Sequence, residues 1–274
     1  MVTDEGITPA ELGSALEERE FESLFVGEHT HIPVKRETPW PGGGELDDVF
    51  YRTFDPLVAL TAAAVVTERL LLGTGVVQVT QRDPIVLAKA IATLDRVSGG
   101  RVISGVGAGW NREEVRNHGT DPRTRMAVLR ERVLAMKALW TQEKAEFHGD
   151  FVSFDPVFSW PKPVQEPHPP IIVSGNHPAV VDRVLDYGDE WGLIWLPFMD
   201  GGDANLADLI ADFRRRAEEH GRGYIPVTMF QVPPDAGVVK RIAEAGADRV
   251  LFSLQTVPKA DTLRTLDTMA QLMA

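Results

Sequence analysis

A short run of apolar residues, a polar or glycine-containing loop and a capped amphipathic stretch recur along the whole chain. The apolar runs fall at residues 23–26, 70–77, 101–106, 171–174, 190–196, 225–231 and 248–253 and are rich in Val, Ile, Leu and Phe. Strands that are apolar on both faces belong to a sheet covered on both faces, which is the parallel arrangement with helical crossovers. Between the runs, Leu12, Ala15 and Leu16 share one helical face, as do Leu129, Val133, Met136 and Trp140, so both stripes read as core. Thr8-Pro9-Ala10-Glu11 has the form of a capping box with Pro at the first helical position. Asp55-Pro56, Asp83-Pro84 and Asp121-Pro122 repeat an Asp cap before Pro, and Gly99-Gly100 stops a helix before the run at 101.

Seven strands alternating with helices predict an α/β protein, an eight-fold (β/α)8 TIM barrel whose first strand is shortened or missing, as one domain over residues 1–274. That strand belongs before Thr8, where Met1, Val2 and Thr3 read as the tail of a strand whose beginning lies outside the sequence; an open seam is the alternative. A doubly wound sheet is the runner-up, but it needs an edge between two halves, and no composition break marks one. Two segments exceed ordinary loop lengths: residues 28–53, rich in Pro and Gly, and an insertion at 142–170 with strand-like pieces at 146–147 and 151–154. Loops that follow barrel strands build the active-site mouth, which makes 28–53 the stronger functional candidate.

Charge and composition narrow the partners. With 40 acidic against 28 basic side chains and a net charge of −12, the 274-residue chain disfavours nucleic acid and anionic membranes as partners. The absence of cysteine excludes disulfides, thiolate nucleophiles, cysteine-bound zinc and iron-sulfur clusters, and makes a reducing cytoplasm the default compartment. No window approaches the ~20 apolar residues of a membrane span, and the N-terminal residues lack a basic segment followed by an apolar one.

Glu28-His29-Thr30-His31 follows the strand at 23–26, so a barrel places it at the C-terminal mouth. His29 and His31, two apart on extended chain, also suit a metal pair, but no later strand ends in a further ligand. Gly105-Val106-Gly107-Ala108-Gly109-Trp110 lacks the final glycine of a dinucleotide fingerprint; its glycines permit close approach by a flat ligand and serve equally as tight turns. Ser174-Gly175-Asn176 before His177-Pro178 places helix N–H groups at the mouth, where an anion such as phosphate fits, although Asn176 reads equally as a helix cap.

These segments together, FVGEHTHIP at 25–33, RLLLGTGVVQVTQRDPIVLAKAIATLDRVSGGR at 69–101, GVGAGWNREE at 105–114 and PPIIVSGN at 169–176, resemble the luciferase-like monooxygenase superfamily, in particular its F420-dependent oxidoreductase branch. The resemblance runs nearly end to end. It implies a luciferase-like barrel, a homodimer, and F420 or alternatively FMN held at the C-terminal mouth. It places Glu28 and His29 beside the cofactor ring, with His29 as the proton donor or acceptor. Gly75 and Val76 match the site where relatives often carry a non-proline cis peptide behind the ring, Gly107 and Gly109 match the loop beside the cofactor, and Gly175 and Asn176 match a phosphate-contacting turn. Trp110 stands where sugar-phosphate dehydrogenases of the superfamily have a catalytic Glu, so that substrate is not carried over. Trp40, Tyr51 and Trp110 are candidate substrate contacts, with packing of the loop as the competing role for Trp40 and Tyr51. The implied reaction is hydride transfer between F420 and a small organic substrate; the alternatives are FMN-dependent monooxygenation and a non-catalytic flavin-binding member, because cofactor identity decides the reaction class.

Overall fold

A computed structural model of the protein describes residues 2–196 and 206–272; Met1, part of the expected first-strand tail, lies outside them. Helix α1 (Pro9–Glu18) opens on the capping box, in which Thr8 Oγ1 accepts from Glu11 N and Glu11 Oε2 accepts from Thr8 N. Strand β1 (Ser23–Val26) leads into the long loop and then to α2 (Pro56–Ala64), capped by Asp55. The apolar run at 70–77 forms two strands, β2 (Leu71–Thr74) and β3 (Val77–Gln78), parted by Gly75-Val76. Helix α3 (Pro84–Ser98), capped by Asp83 and closed by Gly99, precedes β4 (Val102–Gly107).

A short helix that the hydrophobic pattern did not announce, α4 (Arg112–Asn117), follows, and α5 (Arg125–Thr141) starts later than the Asp121-Pro122 pair suggests. Asp121 accepts from Arg123 N in a separate turn, so the expected cap there is corrected to a pre-helical turn. The insertion contains an antiparallel hairpin of β5 (Ala145–His148) and β6 (Ser153–Val157). The remaining elements are β7 (Ile171–Ser174), α6 (Ala179–Tyr187), β8 (Glu190–Ile194), α7 (Leu206–Glu219), β9 (Val227–Val232), α8 (Ala236–Glu244), β10 (Arg249–Phe252) and α9 (Lys259–Ala270).

The main sheet runs β1-β2-β4-β7-β8-β9-β10, all parallel, with β3 added to β4. It is a nearly closed barrel wrapped by helices. Among the described residues no ladder joins β10 to β1. The ends are linked instead by Arg249, whose Nε donates to Glu22 Oε2 at 2.8 Å, while Phe54 N donates to Val2 O and Thr3 pairs with Thr53. Val2 and Thr3 thus sit against the segment that enters α2, through an isolated antiparallel bridge and not a parallel ladder.

Two apolar cores follow from the alternation of strand side chains. The larger lies between sheet and helices and includes Leu12, Leu60, Leu72, Ile91, Val133 and Met136. The smaller fills the barrel interior, where Ile103, Ile172 and Phe230 pack with Phe25, Leu71, Ile194 and Leu251. Asp83 accepts from both Ile85 N and Val86 N, satisfying two orphan donors of α3. Asp83→Ala is expected to lower stability by about 1 kcal/mol in urea unfolding; an unchanged midpoint would show that the cap contributes nothing.

Candidate active site

The barrel interior changes character towards the C-terminal ends of the strands. Alternation places Gly73 and Gly75 on the face of Leu71, Gly105 and Gly107 on that of Ile103, and Ser174 on that of Ile172. Large aliphatic side chains therefore give way to a floor of small ones at the mouth. The Gly75-Val76 peptide is cis, as the resemblance implied, and both residues are half-exposed there. A Cβ on Gly107 would come within 2.6 Å of Val76 Cγ2, so this glycine is required for the Val76 side chain to lie across β4. Gly109 has φ +75°, and its missing Cβ makes room for Gln78 Oε1. Both glycines thus serve packing within the chain that shapes the floor. Ser174 Oγ, at the end of β7, is buried and has no hydrogen-bond partner among the described residues.

His29 is buried at the rim of this floor, with Phe50 and Trp110 edge-on to its ring at 5.5 and 5.7 Å between centroids. Its Nδ1 lies 2.8 Å from Oε2 of Glu114, a fully buried residue of α4, and its Nε2 lies 3.2 Å from Trp110 Nε1. An indole nitrogen only donates, so Nε2 must accept and the hydrogen resides on Nδ1, pointing at the Glu114 carboxylate. The other Glu114 oxygen accepts from Thr30 N at 3.1 Å. Glu114 thereby fixes both the ring and the chain that carries it. The expected ¹⁵N spectrum of His29 shows a pyrrole-type Nδ1 and a pyridine-type Nε2; the reverse pattern would dismiss the Trp110 hydrogen bond.

Glu28 points elsewhere. Its Oε2 accepts from Gln78 N at 2.6 Å, and its Oε1 accepts from Arg82 Nε at 2.8 Å and from Arg82 Nη2, which also reaches Asp55 Oδ2. Burial pushes the Glu28 carboxyl above its ordinary value of 4.5, against the opposing pull of Arg82. Burial alone would also raise Asp55, but Arg82 and the N–H groups of α2 outweigh it and hold that carboxyl below its ordinary range. Glu28 therefore anchors the turn beneath the site, since both of its oxygens are engaged.

The other expected residues divide. His31 does not face the same way as His29: Thr30 Oγ1 lies 2.9 Å from His31 Nδ1 and 2.8 Å from His118 Nε2, while Asn117 Nδ2 reaches His31 Nε2. Burial and the neighbouring His31 hold the His118 imidazole below its ordinary value. No group of three or more His, Asp or Glu side chains among the described residues is placed to hold a metal ion. Trp40 packs edge-on against Phe50 and so reaches the His29 cluster indirectly. Tyr51 is 55% exposed and makes no ring contact among the described residues. The Asn176 side chain clasps the end of β8, donating to Ile194 O and accepting from Ile194 N at 2.8 Å, so it caps no helix and is not free for a ligand. Gly175, with φ +142°, donates through N to Gly192 O.

Three residues of the site were missed in the sequence: Glu114, Arg82 and Gln78. Glu114 lies three after Asn111, the spacing of a capping box; Asn111 does cap α4, but the Glu114 side chain is diverted to His29. Arg82 was visible as the lone cation in the apolar stretch before the Asp83 cap.

The family model described as luciferase-like monooxygenase matches residues 9–250. An uncharacterized protein of Mycobacterium tuberculosis (strain ATCC 25618 / H37Rv) is 39% identical over 282 residues, covering 99% of this chain and 96% of that one. Two relatives with described activities are each 32% identical over 65% of this chain. One is an FMNH(2)-dependent dimethylsulfone monooxygenase of Pseudomonas putida, of which 47% is covered; the other is an F420-dependent glucose-6-phosphate dehydrogenase of Nakamurella multipartita, of which 50% is covered. Among solved structures, the monooxygenase RslO1 from Streptomyces bottropensis superposes with a TM-score of 0.79 at 20% identity, over 97% of this chain and 91% of its own. An F420-dependent secondary alcohol dehydrogenase bound to an F420-acetone adduct superposes with a TM-score of 0.75 at 20% identity, over 97% and 94%. With a family match over most of its length and a relative alike from end to end, the chain belongs to the luciferase-like monooxygenase family of oxidoreductases.

Proposed function

We propose that this protein is an F420-dependent oxidoreductase that transfers hydride between the deazaflavin and a small organic substrate at the barrel mouth. The observation that carries this reading is the placement of His29, fixed through Nδ1 by Glu114, at the rim of the small-residue floor. The floor fits a flat tricyclic ring: Gly75, Val76 and Gly107 offer a low surface, and the unpartnered Ser174 Oγ offers a polar atom to a ring edge. Likeness to the F420-dependent glucose-6-phosphate dehydrogenase supports the choice of cofactor.

Bound F420 supplies a hydride donor or acceptor that reacts poorly with oxygen. The chain supplies the rest. Val76 and Gly107 would support one face of the ring, and Phe50 and Trp110 enclose His29 and keep bulk water from it. His29 Nε2 is the atom that takes the proton of a substrate hydroxyl or, once protonated, returns one to a carbonyl oxygen. The substrate oxygen replaces the Trp110 N–H at that lone pair, while Glu114 stabilises the imidazolium through Nδ1.

A second reading, FMN-dependent monooxygenation, is favoured by the likeness to the dimethylsulfone monooxygenase. Anaerobic mixing with reduced F420 and a panel of carbonyl and unsaturated compounds tests the choice. Substrate-dependent reoxidation of F420 without oxygen is the expected result; substrate-dependent oxygen uptake with reduced FMN, and none of the former, would replace the first reading by the second.

A further inference from the structure

The molecule carries 12 more acidic than basic side chains, yet a recess of about 610 Å³ near the mouth is lined by Arg112, Arg116, Arg123 and Arg125, with Thr120 and Asp121. Arg112 follows Trp110 by two residues, and its N–H donates to Thr38 Oγ1 of the long loop at 3.3 Å, which ties the recess to the site. Its one carboxylate among the described lining residues, Asp121, is taken by Arg123, with Nη2 to Oδ2 at 2.6 Å. Arg112 and Arg116 form no ion pair among the described residues. Arg125 spends Nη1 on Pro122 O, and its Nε is buried without a partner. Burial first, then Arg112 and Arg183 of α6, push the Arg125 guanidinium below its ordinary value, so these cations repel one another.

Four cations assembled around a single carboxylate oppose folding, and a multivalent anion relieves them all at once. We infer that this recess binds a ligand portion carrying two or more phosphate or carboxylate groups. Two sources share that chemistry. One rests on the F420 reading: F420 carries a phosphodiester and a chain of glutamates beyond its ring, whereas FMN ends at a single phosphate. The other is an anionic substrate.

Arg112 and Arg116 are exposed, so the double variant R112Q/R116Q tests the recess without disturbing the core. Fluorescence titration with F420 and with FO, the deazaflavin lacking phosphate and glutamates, is paired with thermal stabilisation by inorganic pyrophosphate. The expected result is a Kd for F420 raised about tenfold or more in the variant, with the Kd for FO unchanged. Unchanged F420 binding together with loss of pyrophosphate stabilisation assigns the recess to an anionic substrate instead. If the wild type binds neither deazaflavin, the F420 reading fails, and the pyrophosphate arm still decides the recess. Equal behaviour of variant and wild type in both arms overturns the inference.

Discussion

Replacing His29 by alanine is expected to lower kcat about a hundred- to ten-thousand-fold while the Kd for the cofactor changes only a few-fold, because a positioned general acid or base contributes that much to a step it does not bind. The asymmetry follows from the geometry. His29 meets the chain through Glu114 and Trp110 at the rim, whereas the proposed seat of the ring is built from Gly75, Val76 and Gly107, none of which depends on the imidazole. Alanine also leaves Glu114 fully buried without its Nδ1–H partner, so the variant's stability is measured beside its rate. Steady-state kinetics and titration on the folded variant separate the effects. An unchanged kcat would remove His29 from proton transfer, and a large rise in Kd with kcat unchanged would make it a cofactor contact.

Arg82→Met carries the largest expected effect on stability. The substitution leaves the Glu28 carboxylate, whose side chain is 1% exposed, buried with only the Gln78 N–H as partner, and uncompensated buried charge of this kind costs about 3 kcal/mol. Asp55 adds little, since its side chain is 41% exposed. The pH dependence has a definite sign. A carboxyl whose folded value is raised binds its proton more readily in the folded state, so its contribution to stability falls as pH rises from the ordinary 4.5 through the folded value. Without Arg82 that rise is larger, and the deficit of the variant against wild type is expected to be greater at about pH 7.5 than near 4.5. Urea midpoints at the two pH values check it; an equal deficit at both would mean that Glu28 stays ionised without its partner.

Much of the barrel is legible in the chain because its signals are local. Thr8, Asp55 and Asp83 cap the helices that their Pro neighbours announce, and the seven apolar runs all become parallel strands. The break within 70–77 is not an apolarity signal, since Gly75 and Val76 fit a strand as well as the bend between β2 and β3. Helix α4 is too short for a hydrophobic stripe to mark it, and its decisive residue, Glu114, is polar and buried. The partnership of His29 with Glu114 spans 85 positions and exists only because β1 and β4 end at the same mouth, so no spacing rule finds it. The pairing of His29 with His31 failed for a related reason: Glu114 and Trp110 pull one ring inward while Thr30 and Asn117 hold the other outside. Asn176 looked free because its partner, Ile194, belongs to the next strand.

The most direct measurement of the central claim is the titration of purified protein with oxidised F420 and, separately, with FMN, followed by fluorescence and absorbance at one salt concentration and pH. A seat for the deazaflavin over Gly75, Val76 and Gly107 predicts saturable F420 binding tighter than FMN binding. Preference for FMN would contradict the proposed hydride transfer and favour oxygen-dependent chemistry, and binding of neither would remove the mouth of this barrel as a cofactor site.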